Sequence, residues 1–209
     1  LLKKLFPICR SITGNGVRET YSILNKTIPI NTYEIKSGTK CFDWTIPKEW
    51  NIKSAWIKNS KGEVLVNFDE NNLHVLQYST SINSKMSYNE LAKHIYTLPS
   101  KPNAIPYRTS YYEEKWGFCM EHNKFVGMDK LDIYEVFIDS TLDEEGSLSY
   151  ADYILKGKSS KEYIISTYSC HPSLANDNLS GLILTALLAK ILNEIGVYHN
   201  YRFIIVPET

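Results

Sequence analysis

Three consecutive stretches near the C-terminal end constrain the fold more than any other feature of this chain. "EYIISTYS" (162–169) is a nearly continuous apolar run of strand length. "SGLILTALLAKILNEIG" (180–196) is apolar around most of a helix's girth, and "YRFIIVPE" (201–208) is a second strand-like run. Two strands that read as buried on both faces, separated by a helix that reads as buried, describe a parallel βαβ unit in an α/β sheet. Between the first strand and the helix stands a highly polar stretch, "SCHPSLANDNLSG" (169–181). A right-handed crossover ends both strands on one edge of the sheet, and open α/β folds bind ligands outside such strand ends. His171 follows the first strand, Asp177 stands in the loop before the helix, and Glu208 ends the second strand. All three are therefore expected on one rim.

An imidazole beside carboxylates suits a divalent ion such as zinc, which accepts both donor types. A carboxylate that is not itself a ligand can take a proton from water whose pKa the ion lowers to roughly 7. Asn178 or Ser180 is placed to cap the helix, and Gly181 to allow close backbone approach at its first turn. The plainer reading is that Asp177 and Asn178 only cap the helix and His171 only terminates a strand. Spacing and composition leave both readings open.

Upstream, residues 1–28 carry apolar residues at helical spacing, interrupted by "TGNG" at 13–16. From about residue 33 to 126 the texture is β-rich. "SAWIKNSKGEVLVNF" reads as a hairpin turning at "NSKG", and "NLHVLQYS" as a partial strand. Ser87 and Glu90 form a capping-box pattern that opens a short helix. "LDIYEVFIDSTL" and "GSLSYADYIL" read as a second hairpin, joined through "DEEG" at 143–146. The expected organisation is an N-terminal helical part of the core at 1–33, a mostly β insert at 34–126, and an α/β core at 127–209.

Bulk properties exclude several classes of function. Lys plus Arg and Asp plus Glu number 23 each in 209 residues, so no net field draws the chain to nucleic acid. No apolar run of about 18 residues suggests a membrane span. The four cysteines are dispersed, which fits reduced thiols and a cytoplasmic location. The chain starts without Met and stops at "FIIVPET", so both ends read as cut from something longer. Stopping on a strand of a parallel sheet would leave an open edge, and a homodimer or instability is the expected consequence.

Other residues carry weaker signals. Arg108, Tyr111, Tyr112 and Trp116 would suit a pocket that stacks on a sugar or grips a carboxylate, or they are turn and core residues of the insert. Cys119 and His122 stand at C-x-x-H spacing without a second pair. Cys170 adjoins His171 and reads as a buried inert thiol rather than a ligand. His74 reads as a strand residue rather than a ligand. Arg10 and Arg18 flank "SITGNGV", a weak pattern for an anion-binding loop.

"STYSCHPSLANDNLSG" followed by "YRFIIVPET" resembles the zinc-dependent aminopeptidase superfamily, the di-zinc exopeptidases. "FDWTIPKEW", "NNLHVLQYS", "IPYRTSYYEEKWGFC" and "CHPSLANDNLSG" resemble, more closely, a bacterial family of aminopeptidase-like domains of unassigned function. Some of its members are labelled as polysaccharide-biosynthesis proteins. The resemblance covers nearly the whole chain. It implies an α/β aminopeptidase-like core with a mixed sheet flanked by helices and interrupted by a mostly β insert. It also implies zinc, two ions in the full-length parent, with His171 on one ion, Asp177 bridging both, and Glu208 as the general base. The Asp177–Asn178 peptide bond is implied to be cis.

Three departures accompany the resemblance. Many superfamily members place an aspartate two residues after the histidine to orient the imidazole, where this chain has Ser173. Many place a second glutamate after the catalytic one, where this chain has Thr209. The remaining ligands would lie beyond residue 209. The implied activity is hydrolysis of an amide bond in a peptide. The alternatives are an amidase acting on an acylated amino sugar, and a non-catalytic glycan- or sugar-binding module in surface polysaccharide biosynthesis.

Overall fold

The structure is a computed structural model that describes residues 1–208. Two helices, α1 (Leu2–Leu5) and α2 (Asn15–Leu24), lead into strand β1 (Asn31–Lys36) and a small hairpin, β2 (Lys40–Cys41) and β3 (Trp44–Thr45). Next come β4 (Glu49–Lys58), β5 (Val64–Asn67), β6 (Ile82–Ser87), α3 (Tyr88–Leu91), β7 (Ile95–Tyr96), β8 (Phe118–Cys119) and α4 (His122–Val126). The chain closes with β9 (Ile133–Asp143), β10 (Ser147–Leu155), β11 (Glu162–Tyr168), α5 (Ser180–Ile195) and β12 (Asn200–Val206).

These elements form two compact units, one of Leu1–Glu49 with Glu144 onward, the other of Trp50–Asp143. The first holds a mixed sheet in the order β1-β10-β12-β11. β11 and β12 run parallel, in register from Glu162 opposite Asn200 to Tyr168 opposite Val206. α5 is their crossover, so the expected βαβ unit is present. β10 pairs antiparallel with both β12 and β1. One face of this sheet meets the helices. Val17, Tyr21 and Leu24 of α2 and Leu182, Ala186 and Ala189 of α5 share one buried cluster with Ala151, Phe203 and Ile205. Neighbouring positions in the strands carry ion pairs instead: Arg202 bonds to Asp152 and Glu162, both at 2.9 Å.

Gly16 is required by a close approach. A Cβ there would fall 2.0 Å from the Cys9 carbonyl oxygen, so the first turn of α2 lies against the Cys9–Arg10 backbone. Arg18, two residues on, donates to Glu49 (2.7 Å) and Glu34 (3.1 Å). It is thus committed to an ion-pair network rather than to the anion-binding loop considered from the sequence.

The second unit is a sheet in the order β5-β4-β9-β6 around its own apolar cluster, which includes Ala55, Val66, Leu91, Phe118 and Val136. The β4–β5 hairpin turns at "NSKG" as expected. The Asn59 side chain accepts from the amides of Lys61 and Glu63, and Gly62 takes φ +82°. The Ser87–Glu90 capping box is also present at the start of α3.

The fold departs from the sequence reading at several points. β9 and β10 are not a hairpin: β9 lies in the second sheet beside β4 and β6, and β10 in the first beside β1 and β12. "DEEG" is where the chain passes from one unit to the other, and a polar turn there looks the same locally as a hairpin turn. For the same reason the compact units divide at 49/50 and 143/144, whereas composition placed the insert at 34–126. β11 is a sheet edge with Ile164 64 % exposed, and α5 leaves Leu184 67 % exposed, so the apolar run and the apolar helix are each covered on one side only. The open edge beside the last strand is therefore β11, since β12 lies between β10 and β11. "NLHVLQYS" is a 3-10 turn (Asn72–His74) followed by isolated bridges, not a strand.

Ala175–Ile195 is long and apolar enough by length and composition to cross a membrane, although its backbone is kinked at Asp177 and Asn178 before α5 begins. Here it connects two parallel strands of one sheet and buries Leu182, Ala186 and Ala189 against them.

Candidate metal centre

The polar stretch lies beyond the C-terminal ends of β11 and β12, where the parallel pairing places it. Its backbone is clamped from several sides. The Ser169 amide donates to the Val206 carbonyl at 2.9 Å, and the Tyr21 hydroxyl lies 3.1 Å from Ser169 Oγ. Arg10, buried among apolar neighbours, donates from Nε to the His171 carbonyl at 3.1 Å and from Nη1 to the Leu5 carbonyl at 2.6 Å. Burial is also what pulls the Arg10 pKa down to about 10.

After His171 the chain turns through Ser173, which takes φ +35°. Its hydroxyl gives its one proton to the Phe6 carbonyl at 3.0 Å. The Asp177–Asn178 peptide bond is cis. Asn178 then folds back: Nδ2 donates to Thr167 Oγ1 (2.9 Å) and to the Tyr168 carbonyl (3.1 Å). A Cβ at position 181 would lie 2.2 Å from Asn178 Oδ1, which explains Gly181. The expected helix caps are not formed, because Asn178 is engaged with β11 and Ser180 Oγ donates to the Asn176 carbonyl. α5 has no side-chain cap.

His171 stands at the centre of the arrangement. Its Nε2 faces Asp177 Oδ2 at 3.9 Å. Its Nδ1 lies 2.9 Å from Cys170 Sγ, and Cys170 Sγ donates to Glu208 Oε2 at 3.0 Å. Donor atoms of Cys170, His171 and Glu208 all lie within 4.8 Å of one another, close enough to share one metal ion. Asp177 lies outside that group, on the Nε2 side. The Tyr168 hydroxyl donates to Asp177 Oδ1, and the Tyr168 and His171 rings are 5.4 Å apart. The bond to Asp177, followed by desolvation, raises the Tyr168 pKa to about 12, so the phenol stays a donor through neutral pH. Cys170 is fully buried. Burial first, then the bond to Glu208, pushes its thiol pKa far above the ordinary range, so it keeps its proton.

The structure thus places His171 next to both Asp177 and, through Cys170, Glu208. Thr209, the second departure from the superfamily pattern, lies outside the described residues. Nothing in the sequence singled out Tyr168 or gave Arg10 this buttressing role. A tyrosine at a strand end carries no local sign of its bond to Asp177, and a basic residue between two N-terminal helices carries none of a partner 161 residues away.

The weaker candidates fall in the Trp50–Asp143 unit. Tyr111 packs edge-on against Tyr78 (5.2 Å), and its hydroxyl lies 3.0 Å from that of Tyr107. Tyr112 is 81 % exposed and edge-on to Tyr111. Trp116 stacks on His94 at 3.7 Å and packs against the unit's core. Arg108 has an exposed side chain, and its carbonyl accepts from the Gln77 amide. Cys119 and His122 do not form a metal pair: Cys119 is buried in β8, and His122 Nδ1 bonds to Thr97 Oγ1 at 3.0 Å. His74 is buried and bonds through Nδ1 to the Cys119 carbonyl at 2.8 Å. All four cysteines are free thiols.

Comparison with known proteins decides the family. The family described as "Domain of unknown function (DUF4910)" matches residues 1–209. The chain belongs to this family. A Clostridium acetobutylicum protein whose name speaks of polysaccharide biosynthesis and an aminopeptidase-like domain is 53 % identical over 211 residues, covering 100 % of this chain and 48 % of that protein. A crystal structure described as a peptidase from the same organism superposes with a TM-score of 0.96 at 51 % identity, over 100 % of this chain and 49 % of that one. The chain therefore spans about half the length of these relatives. A zinc aminopeptidase from Bacillus subtilis gives a TM-score of 0.59 at 10 % identity, over 98 % of this chain and 58 % of that one. At that identity the likeness shows the fold: this is an aminopeptidase-like α/β fold.

Proposed function

We propose that the full-length protein carrying this chain is a metal-dependent hydrolase of amide bonds, acting on a peptide or on an acylated amino sugar. The observation that carries this reading is the set of distances joining Asp177, His171, Cys170 and Glu208 at the ends of two parallel strands. The donors fit zinc, which accepts imidazole nitrogen and carboxylate oxygen alike. His171 Nε2 and Asp177 Oδ2 face each other and would hold the ion. Zinc bound there would supply Lewis acidity to an attacking water.

The remaining steps belong to the chain. Glu208 is exposed and has one oxygen, Oε2, fixed by the Cys170 thiol. Oε1 is then the oxygen suited to accept the proton of the attacking water and return it to the leaving amine. Tyr168, by donating to Asp177 Oδ1, sets which carboxylate oxygen turns toward His171. The test is metal analysis of the purified full-length protein, together with release of an N-terminal residue or an acyl group. Zinc that survives gel filtration, and a Glu208→Gln variant that keeps the metal but loses about 10²–10⁴-fold in kcat, are the expected results.

A second reading is a non-catalytic glycan-binding module. It is favoured by the polysaccharide-biosynthesis name of the 53 % identical relative, by Ser173 being turned to Phe6, and by the exposed Tyr112 beside Tyr111. A metal-free protein that binds a glycan through these tyrosines supports this reading against the first.

A further inference from the structure

We infer that Cys170 orients the His171 imidazole, while the Ser173 hydroxyl donates to the Phe6 carbonyl. This rests on the metal reading proposed above, and it deepens that reading by assigning the hydrogen bond that fixes the ring. A ligating histidine commonly donates its second ring N–H to a partner that sets its tautomer and tilt. Here the nitrogen facing Asp177 is Nε2, so the partner must be found at Nδ1. The atom at Nδ1 is Cys170 Sγ, 2.9 Å away.

The direction of that bond follows from the next one. A thiol has one proton, and Cys170 gives it to Glu208 Oε2. Sγ therefore meets Nδ1 as an acceptor, and Nδ1 carries the hydrogen. The chain of bonds runs Nδ1–H to Sγ, then S–H to Oε2. It leaves Nε2 as the lone-pair nitrogen on the Asp177 side, the form in which an imidazole binds a metal.

Position supports the role. Cys170 is fully buried, and its neighbours on both sides are held, Ser169 by Val206 and Tyr21, His171 by Arg10. Sγ is thereby fixed in a way that an exposed side chain would not be. The same thiol holds Glu208, so one buried residue sets both the imidazole and the carboxylate.

The test uses the full-length protein. Side-chain ¹⁵N spectra of the metal-free wild type, with His171 assigned by its loss in His171→Gln, should show hydrogen on Nδ1; hydrogen on Nε2 overturns the inference. In Co²⁺ titrations, Cys170→Ala should bind about 10–100-fold more weakly than wild type, while Cys170→Ser, which restores an acceptor and a donor, should recover most of the loss. Wild type should bind Co²⁺ without a near-ultraviolet thiolate charge-transfer band. Such a band makes Cys170 a ligand and overturns the inference, as does unchanged affinity in Cys170→Ala. A wild type that binds no cobalt removes the metal reading, and the imidazole spectrum still decides the tautomer. That spectrum needs no Cys170 variant, so a misfolded Cys170→Ala protein leaves the decision intact.

Discussion

The side-chain amide of Asn178 donates to the Tyr168 carbonyl at 3.1 Å, tying the loop that carries Asp177 back to the strand that delivers His171. Gly181 is the condition for this tie, because a Cβ there would stand 2.2 Å from Asn178 Oδ1. Gly181→Ala should displace the Asn178 amide and break its bonds to Thr167 and Tyr168. The expected cost is about 1–3 kcal/mol in urea unfolding.

Gly16→Ala should cost more than Gly181→Ala, even though alanine favours helix by about 1 kcal/mol. The obstacle at position 16 is the Cys9 backbone carbonyl at 2.0 Å, which cannot swing away as a side chain can. Urea midpoints of the two variants, measured side by side, check the order. Equal losses would mean that the Cys9–Arg10 segment yields easily.

Arg18 bonds to a Glu49 carboxylate that is nearly buried and also accepts from the Ser147 amide. Arg18→Ala leaves that carboxylate without its cationic partner and should destabilise the chain by about 2–4 kcal/mol. Arg18→Met with Glu49→Met should recover much of the loss, because the cost lies in the unpaired buried charge. Thermal unfolding of the two variants distinguishes this from a simple loss of packing.

Burial raises the Cys119 thiol pKa from 9.0 to about 12. The folded state then holds its proton where the unfolded chain has released it. Its contribution is present in full below about 9 and is lost as pH rises through about 12. Unfolding followed across that window should show falling stability with rising pH, with a shallower fall in Cys119→Ala. Thiol labelling gives a related check: Cys41 is exposed, Cys119 and Cys170 are buried, so Cys41→Ser should remove the fast-reacting thiol.

Much of the frame was legible along the chain. The order apolar run, polar loop, apolar helix, apolar run gave the β11–α5–β12 crossover and put His171, Asp177 and Glu208 at strand and helix ends, because hydrophobic period and turn chemistry act between neighbours. The Asn59–Gly62 turn and the Ser87–Glu90 cap were readable for the same reason. The same local signals misread "DEEG", since a polar turn does not record which sheet the next strand joins.

What the sequence determined by itself is the succession of elements and the residue types at the strand ends, since these follow from contacts a few positions apart. Only the tertiary structure decided that Cys170 meets the imidazole, that Ser173 donates to Phe6, that Arg10 holds the His171 carbonyl, and that Arg18 serves Glu34 and Glu49. Those choices depend on which of several equally suitable polar groups the packing brings within about 3 Å, and hydrogen bonds and ion pairs discriminate only at that range.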